Sequence, residues 1–423
     1  MYSKIRFLIL LIFPLLSSCF SIKKTQSSGT IPIVDPVITS LDTLTLTEDG
    51  THVYTDTIRK IQQADTCKVD SIVAQISIDS IAKEEENKKT DALDHLNDTV
   101  CIAGTGDIMP GTNYPDHRYL PPGNDCNLLF RDVSDILGSA DITFGNLEGV
   151  FCSEGGKPKE CKDPSVCYVF RIPDSYLQCI LDAGYDVLSV ANNHVNDFGP
   201  EGRMKTAKKL AEADIAFAGF LSHPTSIFEH NGIRYGFAAF APHKGTIDLK
   251  DYKGAARIVA GLDSVCDIVL VSFHGGAEGR DYQHVPCTDE EYLGYNRGNV
   301  CKFAHTVVDA GADLVFGHGP HVTRAMELYQ DRLICYSLGN FCTYARFNLS
   351  GPNGIAPIVK VFTNGEGQFL GGQVISVYQS GEGGPRPDPL NRAVLKLREL
   401  SETDFPESRL AIDENGKLSR KED

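Results

Sequence analysis

The chain has no tryptophan and only four methionines in 423 residues. It has no Gly-X-Y period and no sustained heptad, which excludes a collagen-like rod and a coiled coil. No two cysteines stand at C-x-x-C spacing, so neither a zinc knuckle nor a thioredoxin-type redox pair is present. Basic charge is in short supply: 40 Lys+Arg against 56 Asp+Glu gives 40 − 56 = −16. That sign argues against nucleic acid as the main partner, because phosphate binding needs a basic footprint. Apolar runs are short as well. Phe7 to Leu16, broken by Pro14, is about half of the ~20 residues that span a bilayer. What remains, at 42% hydrophobic, is an ordinary globular composition with room for one large domain or two smaller ones.

The first eighteen residues read as a signal peptide: Lys4 and Arg6 open it, the apolar run follows, and small residues precede Cys19. Leu16-Ser17-Ser18-Cys19 resembles the bacterial lipobox, in which cleavage before the cysteine frees a thiol for lipid attachment. The expectation is an exported protein of the bacterial cell envelope, held to the membrane by a lipid anchor on Cys19. Residues 19–98, rich in Thr, Ser, Asp and Lys, read as a mostly disordered tether, with a small folded module as the alternative. Twelve further cysteines, an even number, permit disulfides in an exported chain. Cys152, Cys161 and Cys167 share one loop suited to a bridge, whereas Cys101, Cys179 and Cys266 sit in apolar runs and read as buried thiols.

Compact character begins at Thr99. Strands are predicted at 100–104, 141–145, 186–191, 214–218, 267–273, 313–316 and 333–337, and helices at 127–138, 173–183, 200–213, 251–264 and 289–310. Two hairpins interrupt the alternation, turning at Asn231-Gly232 and Asn364-Gly365. This pattern predicts an α/β fold with two stacked sheets and helices outside, a four-layer α-β-β-α sandwich, over residues 99–380. Residues 381–423 read as a polar C-terminal extension with one helix at 389–400.

The chemistry is concentrated where strands end. Gly106-Asp107 follows the first strand, Gly145-Asn146-Leu147-Glu148 the second, and Ala191-Asn192-Asn193-His194-Val195-Asn196-Asp197 the third. Later strands end in Phe273-His274-Gly275-Gly276-Ala277-Glu278 and Gly317-His318-Gly319-Pro320-His321. Ligands of open α/β sheets bind at the carboxyl ends of strands, where such loops converge. Carboxylate, carboxamide and imidazole donors without thiolate suit one or two divalent ions of manganese, iron or zinc. Two ions ~3.5–4 Å apart could share a carboxylate, activate water and clamp an oxyanion.

The order Gly-Asp, Asn-Leu-Glu, Ala-Asn-Asn-His, Phe-His-Gly-Gly-Ala-Glu, Gly-His-x-Pro-His and Tyr-Ser-Leu-Gly-Asn-Phe resembles the CapA family of poly-γ-glutamate capsule biosynthesis proteins. The fold of that family is in turn similar to calcineurin-like metallophosphatases. The resemblance implies Asp107 and His321 at a first metal, Asn193, His274 and His318 at a second, and Glu148 as the bridging carboxylate. It implies His194 as the proton donor to the leaving group, oriented by Asp197. Glu278, Asn340 and Tyr336 would line the substrate pocket. The chain departs from the metallophosphatase pattern at Met109, Glu148 and Val195, and in the extra residue between His318 and His321. The first metal site therefore lacks at least one usual imidazole.

The function so implied is a metal-dependent hydrolase or transferase of capsule or poly-γ-glutamate metabolism, breaking an amide or a phosphoester with metal-activated water. Its partners would be an anionic capsular polymer or precursor, the membrane, and other capsule synthesis or export subunits. Such a polyanion needs local positive charge, for which Arg280, Arg297 and Arg324 are candidates. The alternatives are a non-catalytic binding or scaffolding subunit of a polymer export complex, and an ordinary phosphoesterase.

Overall fold

Successive residues of the segment Ile268–His274 face opposite ways. Ile268 and Leu270 pack between two sheets, whereas Val269, Val271 and Phe273 pack beneath helices. This two-residue alternation, inherent to a pleated strand, builds the layers of the molecule. The computed structural model describes residues 99–161 and 167–422. The expected signal peptide, Cys19 and the tether lie outside the described residues.

In chain order, the first part holds β1 (Val100–Met109), the one-turn helices α1 (Asn127–Phe130) and α2 (Ser134–Leu137), and β2 (Ile142–Leu147). The short strands β3 (Val150–Phe151) and β4 (Arg171–Ile172) follow, then α3 (Tyr176–Asp182), β5 (Val187–Ser189), α4 (Gly199–Glu212) and β6 (Ala216–Ala218). Next come β7 (Thr225–His230), β8 (Ile233–Phe240), α5 (Tyr252–Asp263), β9 (Ile268–His274), β10 (Glu290–Tyr292) and β11 (Tyr295–Gly298). They are followed by α6 (Val300–Asp309), β12 (Leu314–His318), β13 (Met326–Tyr329) and β14 (Arg332–Cys335). The last part holds β15 (Asn340–Thr343), β16 (Ile355–Thr363), β17 (Phe369–Tyr378) and β18 (Arg386–Pro387). It closes with α7 (Arg392–Asp404), β19 (Leu410–Ile412) and β20 (Lys417–Arg420).

One sheet runs β19-β20-β17-β16-β1-β2-β5-β6, with β15 also paired to β1 and β18 to β17; the other runs β13-β14-β12-β9-β8-β7. Around β1, β2 and β5, and around β8, β9 and β12, the pairing is parallel, so the carboxyl ends of these strands lie side by side. Ile102, Phe144, Phe237, Leu270, Leu314 and Phe316 fill the space between the sheets. Helices α1 to α4 cover the outer face of the larger sheet through Phe130, Leu137, Tyr176, Ile180 and Leu210. Helices α5 and α6 cover the smaller one through Val259, Leu262, Phe303 and Val307. The expected four-layer α-β-β-α sandwich is therefore present. Each such buried side chain contributes about 1.5–3 kcal/mol over its exposed state.

Local chemistry accounts for the helix starts. The Asn299 side chain accepts from the Lys302 N–H at the head of α6, and Asp251 accepts from Gly254 at the head of α5. In α6, Val300, Phe303, Ala304, Val307 and Val308 recur at helical spacing on the buried face.

Several expectations are corrected. The predicted helix 289–310 starts only at Val300, because Leu293 and Gly294 both take positive φ (51° and 75°) and turn β10 into β11. The predicted helix 127–138 breaks at Val133, whose backbone leaves the helical region while its side chain is fully buried. Cys179 is not a free thiol; its position on α3 meets Cys126 beside α1 and the two are bonded. Cys101 and Cys266 are free but only half-buried. Cys161–Cys167 bridges the loop where a bridge was expected, and Cys287–Cys301 joins the start of α6 to the preceding loop.

The boundary at 380 also moves. Residues beyond it supply Val394, Leu397, Leu410 and Leu418 to the core between the sheets, and β20 pairs with β17. This segment reads as polar because only one face of each short element is apolar, and that face is inside.

Candidate metal centre

Phe144 on β2 joins the two sheets directly beneath the site. Its ring lies 5.0 Å from Phe316, 5.7 Å from Phe237 and 5.6 Å from His318. Above it, the parallel registers set the donors in rows: Asp107 pairs with Asn146 and with Asn340, and His274 pairs with His318. The adjoining glycines bring the backbones close. A Cβ on Gly106 would run into the carbonyl oxygens of Leu338 and Gly339, and Gly339 O accepts the Asp107 N–H at 2.9 Å.

Asp107, Glu148 and His274 are fully buried and present ligand atoms all within 4.8 Å of one another. His321 Nδ1 lies 2.8 Å from Asp107 Oδ2, and its Nε2 lies 4.0 Å from Glu148 Oε1. His274 Nδ1 lies 3.7 Å from Glu148 Oε2, and His194 Nε2 lies 3.8 Å from Glu148 Oε1. His318 donates from Nε2 to Thr105 O at 3.1 Å, which leaves its Nδ1 lone pair open. Asn193, His194, Glu278, His321 and Asn340 line a cavity of about 300 Å³ beside this cluster.

His321 is held in an unusual backbone state. Its φ is 57°, a left-handed conformation that non-glycine residues seldom adopt. Its carbonyl accepts from the side chains of both Asn340 and Asn353, each at 3.2 Å, and these two carboxamides fix the turn.

The Asp107 and Glu148 carboxylates share one neutral donor. Asn146 Nδ2 donates to Asp107 Oδ1 at 2.8 Å and to Glu148 Oε2 at 2.6 Å, while Asn192 Nδ2 donates to Asn146 Oδ1 at 3.1 Å. Burial works to raise Asp107, but the hydrogen bond and charge of His321 outweigh it and hold the carboxyl below the usual aspartate range. Burial and the Asp107 charge push Glu148 well above the glutamate range. Burial opposes a charge on His321, yet Asp107 and Glu148 raise it to about 10. Burial pushes His274, His318 and His194 down, and it takes His243 to about 3, so these imidazoles are neutral.

Neutral imidazole is the form that ligates a metal. Several buried polar atoms here have no hydrogen-bond partner: Glu148 Oε1, Asn193 Oδ1, both nitrogens of His274, and His318 Nδ1. Buried polar atoms are almost always paired, so five orphans around one cluster fit the donor set of a shared cation. The oxygen and nitrogen donor set fits a divalent ion of the manganese, iron or zinc kind.

His194 stands at the edge of this set. Its Nδ1 lies 2.7 Å from Asp197 Oδ2, which also accepts from the Phe170 N–H at 2.6 Å. Lys159 Nζ lies 2.6 Å from the other Asp197 oxygen, and the Phe170 ring stacks on His194 at 4.1 Å. The proton on Nδ1 is thereby fixed toward Asp197, and Nε2 faces Glu148.

Of the residues singled out from sequence, Asp107, Glu148, Asn193, His194, Asp197, His274, His318, His321, Glu278 and Asn340 come together. Tyr336 does not. Its ring stacks on Phe405 at 4.8 Å in the outer layer and its hydroxyl donates to Glu327, because strand alternation turns it away from the cavity. Of the three candidate arginines, Arg297 lines the cavity and pairs with Glu278 at 2.7 Å. Arg324 is fully buried on Glu290, and Arg280 is exposed outside the cavity lining.

Sequence reasoning gives Asn146, Asn192 and Lys159 no role of their own and reads His243 as structural or exposed. Asn146 and Glu148 are two apart on a strand, which alone places them on one face. His243 follows the end of β8, the same position that marked the other histidines, and its ring lies 5.7 Å from His274. Nothing local marks Lys159.

Fold and site together define an α/β sandwich with an acid, carboxamide and imidazole centre at the carboxyl ends of its parallel strands. The family model of the bacterial capsule synthesis protein PGA_cap matches residues 101–345, and the chain belongs to that family. It is 30% identical over 266 residues to the capsule biosynthesis protein CapA of Bacillus anthracis, covering 58% of this chain and 60% of that protein. To the PGA biosynthesis protein CapA of Bacillus subtilis strain 168 it is 27% identical over 263 residues, covering 58% and 64%. The match thus spans less than two thirds of either relative. Among solved structures, a purple acid phosphatase from yellow lupin seeds is similar at 10% identity and a TM-score of 0.34, covering 71% of this chain and 55% of that one.

Proposed function

We propose that this centre binds one or two divalent ions and that the chain acts with them as a hydrolase or transferase on an anionic capsular polymer or its precursor. The reading is carried by the buried, unpartnered Glu148 Oε1, Asn193 Oδ1, His274 and His318 Nδ1 atoms around one cluster. Asp107, Glu148, Asn193, His274 and His318 would hold the ions, joined by His321 once it gives up the proton it keeps beside Asp107. Bound there, a divalent ion supplies Lewis acidity and an activated water. His194 accepts and then delivers a proton at Nε2, on the cavity side, with its tautomer held by Asp197. The pocket wall carries Lys159, Arg297 and Arg346, which suits a polyanion despite the acidic whole.

The relatives' printed roles in capsule and PGA biosynthesis support poly-γ-glutamate or a similar polymer as the substrate, with an amide or a phosphoester as the bond broken. The motif at Cys19 supports a lipid-anchored place in the envelope, beside other capsule synthesis or export subunits. Among the described residues, no helix is long and apolar enough to cross a membrane.

Elemental analysis of protein purified without chelator tests the reading, with Glu148→Gln as its comparison. Near-stoichiometric manganese, iron or zinc in the wild type, largely lost in the variant, is expected. Metal-free, well-folded protein whose His274→Ala and His318→Ala variants still support polymer display would instead establish a scaffold of the export complex.

A further inference from the structure

Three lysine and arginine side chains wall the cavity, and two of them are already paired with carboxylates. Lys159 is paired with Asp197 and Arg297 with Glu278. Arg346 is different. Among the described residues its guanidinium makes cation–π contacts and no ion pair: Cζ lies 4.6 Å from the Tyr119 ring centroid and 5.3 Å from that of Tyr168. Rings hold a guanidinium through its π-system and leave its N–H donors for an acceptor. Arg346 lines the cavity, and among the described residues no carboxylate pairs with its guanidinium.

The backbone places this side chain deliberately. Past the end of β15, Ala345 takes φ 61°, a strained state for a residue with a Cβ. It is held by Ala345 N–H donating to Glu382 O at 2.8 Å and by Arg346 N–H donating to Tyr344 O at 2.7 Å. The next residue ties the segment to the centre. The Phe347 ring lies 5.7 Å from His321, edge-on, and stacks at 5.2 Å on Phe170, the ring that backs His194.

We propose that Arg346 is the anion anchor of the pocket and grips a carboxylate that the substrate carries close to the bond acted on. A planar carboxylate can take two N–H donors of the guanidinium at once. The anchor thus selects a chain with a free carboxylate on each unit, such as γ-linked glutamate, over neutral peptides. The claim rests on the proposed function for what happens to the bond, but not for binding.

The test is calorimetric binding of a γ-linked glutamate tetramer to the full chain kept in chelator, so that it reads independently of metal content. Arg346→Gln should weaken binding about tenfold or more, the worth of a charged hydrogen bond. The tetramer with its α-carboxylates converted to carboxamides should bind weakly and be indifferent to the substitution. Arg346→Lys keeps the charge but not the fork; it should bind several-fold more weakly than wild type, and it carries the comparison should the glutamine variant fail to fold. The proposal is overturned if the wild type does not bind the tetramer, or if folded variants bind it as the wild type does. It is equally overturned if the substitutions weaken only inorganic phosphate. Protein that carries no metal when purified without chelator, yet shows the Arg346 dependence, would sink the hydrolase reading and leave the anchor standing.

Discussion

Nδ1 of His321 lies 2.8 Å from Oδ2 of Asp107, and each group keeps the other charged in a buried place. Without a bound cation, His321 is the positive charge closest to Asp107, because the surrounding imidazoles are neutral.

His321→Ala should therefore leave the buried Asp107 carboxylate without a counter-charge in chelator-treated protein. Removing one partner of a buried pair costs about 3–5 kcal/mol. Urea unfolding should show a loss of that order, and added manganese should recover part of it. An unchanged urea midpoint in chelator would contradict the ion-pair account.

Asp313, at the entry to β12, supplies a pH signature remote from the centre. Burial raises its carboxyl to about 7, while the Val269 N–H and Arg332 oppose the rise. The folded state thus holds this proton more tightly than the unfolded chain, whose aspartate titrates near ~3.9. The contribution is fully present below about pH 4 and is lost as pH rises toward 7. At about 1.4 kcal/mol per unit it amounts to a few kcal/mol at most. Comparing urea midpoints at pH 5 and pH 7.5, the wild type should lose more stability than Asp313→Asn; parallel behaviour would refute the shift.

Ending the chain at residue 380 should prevent folding. That truncation removes Val394, Leu397, Leu410 and Leu418 from the inter-sheet core and strips β20 from β17. Each lost side chain is worth about 2 kcal/mol, so the four remove roughly 8 kcal/mol, comparable to the ~5–15 kcal/mol margin of a typical domain, before the lost β20 pairing is added. Soluble expression and a cooperative melt of the shortened chain would show that the segment is an accessory after all.

Much of the centre was legible because its residues carry local marks. Asp107, Glu148, His274 and His318 each lie at or near the end of a strand beside glycine, and parallel strands must bring such ends together. Tyr336 was misjudged because its ring packs on Phe405, a neighbour 69 positions away that no local pattern announces. Arg324 reads from sequence as a candidate cation for the polyanion, yet it is buried on Glu290, which lies on a hairpin that looked helical. Lys159 reaches Asp197 from an irregular loop with no periodicity to read.

The amino-acid order alone determined the layers, the hairpins at Asn231-Gly232 and Asn364-Gly365, and which residue types would gather at the strand ends. Side-chain alternation and turn chemistry are short-range, so they are written in neighbouring letters. Tertiary structure alone decided which lysines and arginines of the cavity are paired and which is left open, which carboxylates share Asn146, and that the residues beyond 380 belong to the core. Those outcomes depend on contacts between segments far apart in the chain, where packing and burial set the energies and no local signal exists.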